Sequence, residues 1–339
     1  MLEHSAVLPR VLISAGRTLF RSFFTPDQQS RLTGLCRWDL EQSRTITPGF
    51  SRKLNSAEAL ITTWDSPRFG EDLLHKAPKL RMIAHCGGEV KSRFAPALFD
   101  SVTITNAADP MAHATAELGA AFLLYCARDV DRYRAAMRTS NRIFSEVHLR
   151  GTTEFLFGRD VAMIGFGRIG RALVDLMRGF DLHWNVYDPY ASPSLTRNYP
   201  VVFRDLEAVL RKAELLVLTA ALTEETRGLL NRKTLALLPD GAAIINIARG
   251  GLIDLPALTR EVQRKRLRCA IDVTDPEEPL PVLHPLRKLP GVIMTPHIGG
   301  GTVQVRQEIA KTVMDDLENF LGGRPVQNRV TRAMLERMT

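Results

Sequence analysis

The chain has 339 residues, 45% of them hydrophobic and 24% charged, with a formal net charge of +8 at pH 7. That length exceeds one ordinary core and suits two domains, and the composition excludes a disordered or disulfide-scaffold protein. The basic excess is scattered; its densest cluster, Arg264-Lys265-Arg266-Leu267-Arg268, closes a predicted helix, where cations complement the dipole and face water rather than a nucleic acid.

Four cysteines (Cys36, Cys86, Cys126, Cys269) lie far apart, with no C-x-x-C and no histidine at ligand spacing. They read as buried thiols of a reducing compartment, with neither a disulfide framework nor a metal site. Pro9 and Arg10 interrupt the first apolar run, and the longest apolar stretch, 118–127, is far short of a membrane span. A soluble, cytoplasmic protein without membrane or nucleic-acid partners is expected.

Residues 10–14 predict a first strand and residues 26–35 a helix. Residues 59–63 and 80–84 predict two short buried strands, with a helix over 70–76 between them. Cys86-Gly87-Gly88-Glu89-Val90-Lys91 is then a glycine turn at a strand end. It either offers backbone N–H groups to a carboxylate or is an ordinary connection. After a strand at 102–106 and a linker at 107–110 comes an almost wholly apolar helix, 112–128. Such a helix must be buried between layers or between subunits. Residues 129–158 read as charged and irregular.

From Val161 onwards strands alternate with helices. The strands are expected at 161–164, 184–187, 215–218, 243–247, 269–273 and 292–295. Helices fit at 206–211, after Asn231, and from Asp254, an N-cap with Pro256 in the first turn. Short continuous apolar strands separated by helices indicate a parallel sheet covered on both faces, with ligands beyond the carboxyl ends of the strands. A last helix, 303–321, is ended by Gly322-Gly323.

The strand at 161–164 runs into Gly165-Phe166-Gly167-Arg168-Ile169-Gly170 and a helix, the context that a dinucleotide fingerprint requires. Gly165 permits the tight turn, Gly167 lets the backbone approach a pyrophosphate, and Gly170 lets helix and strand pack closely. The helix N-terminus offers N–H groups to the phosphates. Asp188 ends the next apolar run, where its carboxylate would accept both ribose hydroxyls of the adenosine and repel a 2′-phosphate. The pair reads as a site for NAD, with NADH preferred over NADPH.

Three later strands end in charged or titratable residues on the edge where the nicotinamide half should lie. Arg249 would bind a carboxylate in a two-pronged geometry and polarise the adjacent carbonyl. His297 would give a proton to the carbonyl oxygen as hydride arrives, or take it back. A nearby Glu277 would favour the imidazolium form and fix the ring tautomer.

These stretches, G-F-G-R-I-G, L-T-A-A-L-T-E-E-T-R-G-L-L, I-I-N-I-A-R-G-G-L-I-D, A-I-D-V-T-D-P-E-E-P-L-P and T-P-H-I-G-G, resemble the D-isomer-specific 2-hydroxyacid dehydrogenase family in order and spacing, over roughly residues 80–320. The resemblance implies an α/β protein of two Rossmann-like domains. A doubly wound parallel-sheet NAD-binding domain (111–301) would be inserted into a smaller flavodoxin-like substrate-binding domain (1–110 and 302–339). It implies NAD(H)-dependent interconversion of a 2-oxo acid and an R(D)-2-hydroxy acid, or, as the alternative, an NAD-sensing corepressor-like protein of the same fold. Catalytic Arg249, Glu277 and His297 are implied, with cofactor contacts at Arg168, Ile169, Asp188, Thr219, Ala248, Arg249 and Asp272. A homodimer is implied too, formed around helix 112–128.

Three departures from the family pattern stand out. The loop D-P-E-E-P is one residue longer than usual, so counting from Asp272 gives Glu277 and counting back from Pro279 gives Glu278. Glu277 is favoured, because the strand fixes position more rigidly than the loop. The turn at Gly87 and Gly88 lacks the usual Asp or Asn and brings Lys91. That lysine either helps hold a second anionic group on the substrate or is a surface residue. The first eighty residues match no subfamily, which leaves the substrate open.

Overall fold

Runs of three to five apolar residues become buried parallel strands in both halves of the chain. In the computed structural model, which describes residues 8–150 and 154–338, the strands are β1 (Arg10–Ser14), β2 (Arg37–Glu41), β3 (Ala59–Thr62), β4 (Met82–His85), β5 (Thr103–Asn106), β6 (Asp160–Ile164), β7 (His183–Tyr187), β8 (Val201–Phe203), β9 (Leu215–Leu218), β10 (Ala243–Asn246), β11 (Arg268–Ile271), β12 (Val292–Met294) and β13 (Arg329–Val330). The expectations for residues 1–7, 151–153 and Thr339 lie outside the described residues. Two compact units result, residues 1–111 with 301–339 and residues 112–300.

The first unit holds a sheet in the order β13-β5-β4-β3-β1-β2, parallel except for β13 against β5. One face packs Phe20, Phe23 and Phe24 with Ile309, Val313 and Leu317 of the helix Val303–Leu321. Phe50, Phe69 and Phe94 fill the other. Several elements here were not expected, among them the helices Arg17–Phe23, Pro48–Ser56 and Leu98–Ser101 and the strands β2 and β13. The helix Pro48–Ser56 starts from a Thr47 cap. The strand β2 is an edge whose half-exposed R-W-D-L-E carries little apolar signal. The expected helix at 70–76 shrinks to Leu73–Lys76.

The second unit is a seven-stranded parallel sheet in the order β12-β11-β10-β9-β6-β7-β8. Apolar cores cover both faces, as the continuous apolar strands require. The chain leaves β6 for β7 and β8 on one side, then returns to β9 on the other. The crevice at this reversal, beyond the carboxyl end of β6, is where such sheets hold ligands.

The expected linker 107–110 is helical from Ala108, in a helix Ala108–Ala127; Pro110 is accommodated because its missing N–H falls in the unbonded first turn. The segment expected to be irregular carries two helices, Val130–Met137 and Arg142–Arg150. No side chain of Val130–Met137 is buried, nor any from Arg142 to Leu149. The basic cluster is not simply a solvated helix end. Arg266 donates to the carbonyls of Leu235 and Leu238 and pairs with Glu261, and Arg268 pairs with Asp129 at 2.9 Å. The four cysteines are buried free thiols; burial pushes Cys36 and Cys269 up to about 12 and Cys126 to about 11. Among the described residues no helix is long and apolar enough to cross a membrane, and no group of three His, Cys, Asp or Glu side chains is placed to hold a metal ion.

Candidate active site

Gly165 ends β6 at φ +91°, a conformation that L side chains rarely adopt, and a Cβ there would stand 2.4 Å from Ala220 Cα. Thr219, just past β9, donates its hydroxyl to Gly165 O at 2.6 Å and so holds the turn closed. Gly170 packs where a Cβ would meet Gly165 O at 2.9 Å. Gly167 differs from both, since a Cβ on it would meet nothing within 4 Å. Its backbone faces open space and caps the nine-residue helix Arg168–Leu176 without a side-chain cap. The first-turn N–H groups of that helix therefore begin at an open turn, the setting in which helix N-termini bind anions. Ile169 is half-buried against the core and Arg168 is exposed.

Asp188 stands at the tip of β7 beside this turn. Its Oδ2 accepts the Phe166 N–H at 2.7 Å, and its Oδ1 accepts those of Tyr190 and Ala191 at 2.9 and 3.1 Å. The carboxylate is thus oriented by backbone, at the edge of the fingerprint turn, with one acceptor site left on Oδ2 for a hydroxyl donor.

The loop after β10 is built around buried Asn246, which accepts the Ala248 N–H at 3.1 Å and donates to Arg249 O at 2.9 Å. Arg249 is half-buried, and its Nη1 donates to the buried Ala248's carbonyl at 2.7 Å. Next to it Gly250 is indispensable, because a Cβ would stand 2.1 Å from the Thr274 carbonyl carbon. The loops after β10 and β11 are therefore pressed backbone to backbone.

Asp272, 3% exposed, braces the third loop. Its Oδ1 accepts the Ile298 N–H at 2.9 Å and the Thr295 hydroxyl, its Oδ2 accepts the Gly299 N–H at 2.9 Å, and its carbonyl accepts the His297 N–H at 2.9 Å. These bonds hold His297 at φ +55°, a left-handed conformation costing about 1–2 kcal/mol in a non-glycine residue. The sequence reading cast Thr219 and Asp272 as cofactor contacts; the structure shows both polar groups engaged in holding the turn and the histidine loop.

The partner of His297 is Glu278. His297 Nδ1 lies 3.1 Å from Glu278 Oε2, with both side chains partly exposed. The preference for Glu277 is corrected: Thr274 turns the loop back on itself, donating its hydroxyl to Glu277 O and its N–H to Glu278 Oε1 at 3.3 Å. That fold uses Glu277 by its backbone and presents the next carboxylate to the ring. The pair borders a cavity of about 560 Å³ lined by Thr274, Leu280, Arg287 and Met294 among others.

In the first unit, the Gly87–Gly88 turn has its carbonyls drawn inward, Gly87 O by the Ala107 N–H at 2.9 Å and Gly88 O by Asn106 Nδ2 at 2.8 Å. Lys91 is exposed. The sequence reading missed His85 and Trp64, which flank this turn. A Cβ on Gly87 would meet His85 Nε2 at 2.7 Å and Trp64 Nε1 at 2.8 Å. They share no sequence spacing; their one signal is that each lies at or just past the carboxyl end of neighbouring strands, β4 and β3.

A sequence model of the family described as "D-isomer specific 2-hydroxyacid dehydrogenase, NAD binding domain" matches residues 120–299. The chain belongs to this family. A glyoxylate reductase of Pyrococcus horikoshii is 31% identical over 291 residues, covering 84% of this chain and 86% of the relative. A D-3-phosphoglycerate dehydrogenase of Methanocaldococcus jannaschii is 30% identical over 281 residues, 82% of this chain and 52% of the relative, so the chain spans about half that protein's length. Among solved structures, a phosphoglycerate oxidoreductase from Rhizobium etli superposes with a TM-score of 0.77 at 25% identity, over 95% of this chain and 98% of that one. As a D-2-hydroxyacid dehydrogenase the chain is an NAD-dependent oxidoreductase of 2-hydroxy and 2-oxo acids, and these relatives do not favour the corepressor-like alternative.

Proposed function

We propose that the chain reduces a 2-oxo acid to the R-2-hydroxy acid, or oxidises it back, with His297 as acid/base, Glu278 as its partner and Arg249 on the substrate carboxylate. The observation that carries this reading is the His297–Glu278 pair at 3.1 Å, on a loop strained and braced at the carboxyl edge of the sheet. With Nδ1 turned to the carboxylate, Nε2 is the ring nitrogen left to exchange a proton with the carbonyl oxygen. Glu278 stabilises the ring when it carries that proton. Arg249 neutralises the substrate carboxylate and draws electron density from the neighbouring carbonyl. NAD fits the open face of Gly167, the helix N-terminus behind it and the Asp188 carboxylate; when bound it supplies or accepts the hydride.

In this reading, NADH is preferred over NADPH because Asp188 repels a 2′-phosphate. The unit formed by 1–110 and 302–339 takes the substrate, with the N–H groups of the Gly87–Gly88 turn meeting a carboxylate and Lys91 a further anionic group. The unit formed by 111–301 holds the cofactor. Two copies pair through the region around helix Ala108–Ala127, which is supported by the exposed apolar residues that follow it. The protein works in the cytoplasm with small acids as its only ligands besides the cofactor.

The test is NADH and NADPH oxidation against glyoxylate, hydroxypyruvate, pyruvate, 2-oxoglutarate, 3-phosphohydroxypyruvate and branched 2-oxo acids. Turnover of at least one with NADH is expected, and Asp188→Ala should narrow the NADH/NADPH ratio. Silence across the panel, with NADH still binding, would remove the reading.

A further inference from the structure

Both carbonyls of the Gly87–Gly88 turn are held by donors from β5 and the residue after it, and peptide geometry then aims the N–H groups that follow them. A trans peptide is planar, so its N–H points opposite to its C=O. Among the described residues the cis peptides are confined to those before Pro276 and Pro279. The Ala107 N–H draws in Gly87 O at 2.9 Å and so turns the Gly88 N–H the other way. Asn106 Nδ2 draws in Gly88 O at 2.8 Å and so turns the Glu89 N–H. Among the described residues neither N–H has a hydrogen-bond partner, and Gly88 and Glu89 are only half-buried. Successive N–H groups of this kind make a concavity for an anion. The first hold is backbone on backbone, which any residue but proline supplies. The second is a side chain, 4% exposed, at the end of the strand next to β4.

Asn106 is fixed in turn from the C-terminal segment. Its N–H donates to Asn328 O at 3.2 Å, which extends the pairing of β5 with β13 by one residue. Asn328 is gripped by Asp316, a carboxylate 1% exposed on the helix Val303–Leu321. Asn328 Nδ2 donates to its Oδ2 at 3.0 Å, and the N–H groups of Gln327 and Asn328 donate to its Oδ1 at 2.8 and 3.4 Å. A buried carboxylate with three donors is a stiff anchor, because any other arrangement leaves charge and donors unpaired.

We propose that Asn106 is the positioning residue of this turn: through the Gly88 carbonyl it aims the Glu89 N–H at the carboxylate of a 2-oxo acid, and the Asp316–Asn328 clamp keeps it in register. The proposal rests on the reading that the Gly87–Gly88 turn holds the substrate. Asn106 touches no reacting atom and acts through the peptide it holds. A hydrogen bond to a carboxylate is charge-assisted and directional, weakening steeply once its angle opens. Freeing the Gly88–Glu89 peptide therefore costs substrate affinity more than it costs turnover of the bound substrate.

Glyoxylate, whose one anionic group is its carboxylate, is the substrate probe. Oxamate, which keeps the carboxylate and neighbouring carbonyl but accepts no hydride, is the binding probe, titrated calorimetrically with NADH present. Asn106→Ala should raise the KM for glyoxylate and the Kd for oxamate each by about tenfold. Its kcat should fall by no more than about threefold, with the Kd for NADH unmoved. Asn106→Asp keeps the shape but sets an acceptor against Gly88 O; it should raise both constants further, so the test survives if Asn106→Ala fails to fold. Asn328→Ala should raise them by about threefold, and should add little on top of Asn106→Ala, because it acts through Asn106. Additive effects of the two overturn the clamp. Constants unmoved in both Asn106 variants, or a kcat that falls as far as KM rises, overturn the positioning role and leave catalysis standing. A parent that turns over no acid of the panel yet binds oxamate, and binds it about tenfold more weakly as Asn106→Ala, keeps the positioning role and removes the catalytic reading. A parent that neither turns over an acid nor binds oxamate removes both.

Discussion

Glu277 and Glu278 are neighbours in sequence, but the fold gives them different work: one offers its carbonyl to Thr274, the other its carboxylate to His297. If that geometry operates in catalysis, Glu278→Gln lowers kcat by about 10–100-fold, and Glu277→Gln leaves it within about twofold, since general acid–base assistance is worth about 10²–10⁴ in all. His297→Ala should lose most of that factor while the NADH dissociation constant, read by fluorescence, changes little. Equal losses in kcat and NADH affinity would make His297 structural. His85 supports a second prediction, on stability. Its folded ring is held down to about 3, chiefly by desolvation, against about 6.5 when unfolded. Between those values the unfolded chain binds one proton more, so stability rises with pH through the window and falls as the solution is acidified from about 6.5 towards 3. The slope from this group is about 1.4 kcal/mol per pH unit. Urea midpoints at pH 7.5, 6 and 5 should therefore fall faster for the parent than for His85→Asn, and parallel curves would show that the buried ring is not the cause.

Among the loops and helices, glycines separate into those that a neighbour requires and those that stand in the open. Gly250→Ala would drive a Cβ into the Thr274 backbone, a contact only a loop shift relieves, at about 1–3 kcal/mol. Because that loop carries Glu278, the variant should lose both thermal stability and kcat. Gly34, in the helix Pro26–Leu35 with nothing within 4 Å of its would-be Cβ, is the control: Gly34→Ala should hold or raise Tm. Unchanged Tm and kcat in Gly250→Ala would show that the loops after β10 and β11 are not coupled. Legibility in the sequence follows the same physics. The β6 turn, Asp188, Arg249 and His297 could be located because a strand followed at once by glycine or a charged residue is a local pattern. The choice between Glu277 and Glu278 could not, since it depends on a side chain bonding back to its own loop. His85 and Trp64 come together only through the pairing of β3 with β4, which no spacing encodes. The helices over 130–150 escaped for want of a buried stripe, and β2 because an edge strand needs little apolar surface.

At the scale of the molecule, the apolar surface after helix Ala108–Ala127 requires an explanation. Met137, Phe144, Phe155 and Phe157 are all more than half exposed and Leu149 is 85% exposed, all within one stretch of the chain. Single exposed hydrophobic residues are ordinary, but this concentration is a surface that the proposed pairing of two copies would cover. A second copy is the occupant that an isologous contact supplies at no further cost in sequence, because the same segment on each subunit contributes to both sides. Light scattering after size exclusion should then give about twice the chain mass of 37.9 kDa. Phe144→Asp with Leu149→Asp should shift it to the single-chain mass while the far-ultraviolet circular dichroism is kept, since neither side chain is part of a core. A parent that runs as a single chain at micromolar concentration would remove the dimer. A parent dimer that survives both substitutions would move the interface off this stretch and onto the helix before it.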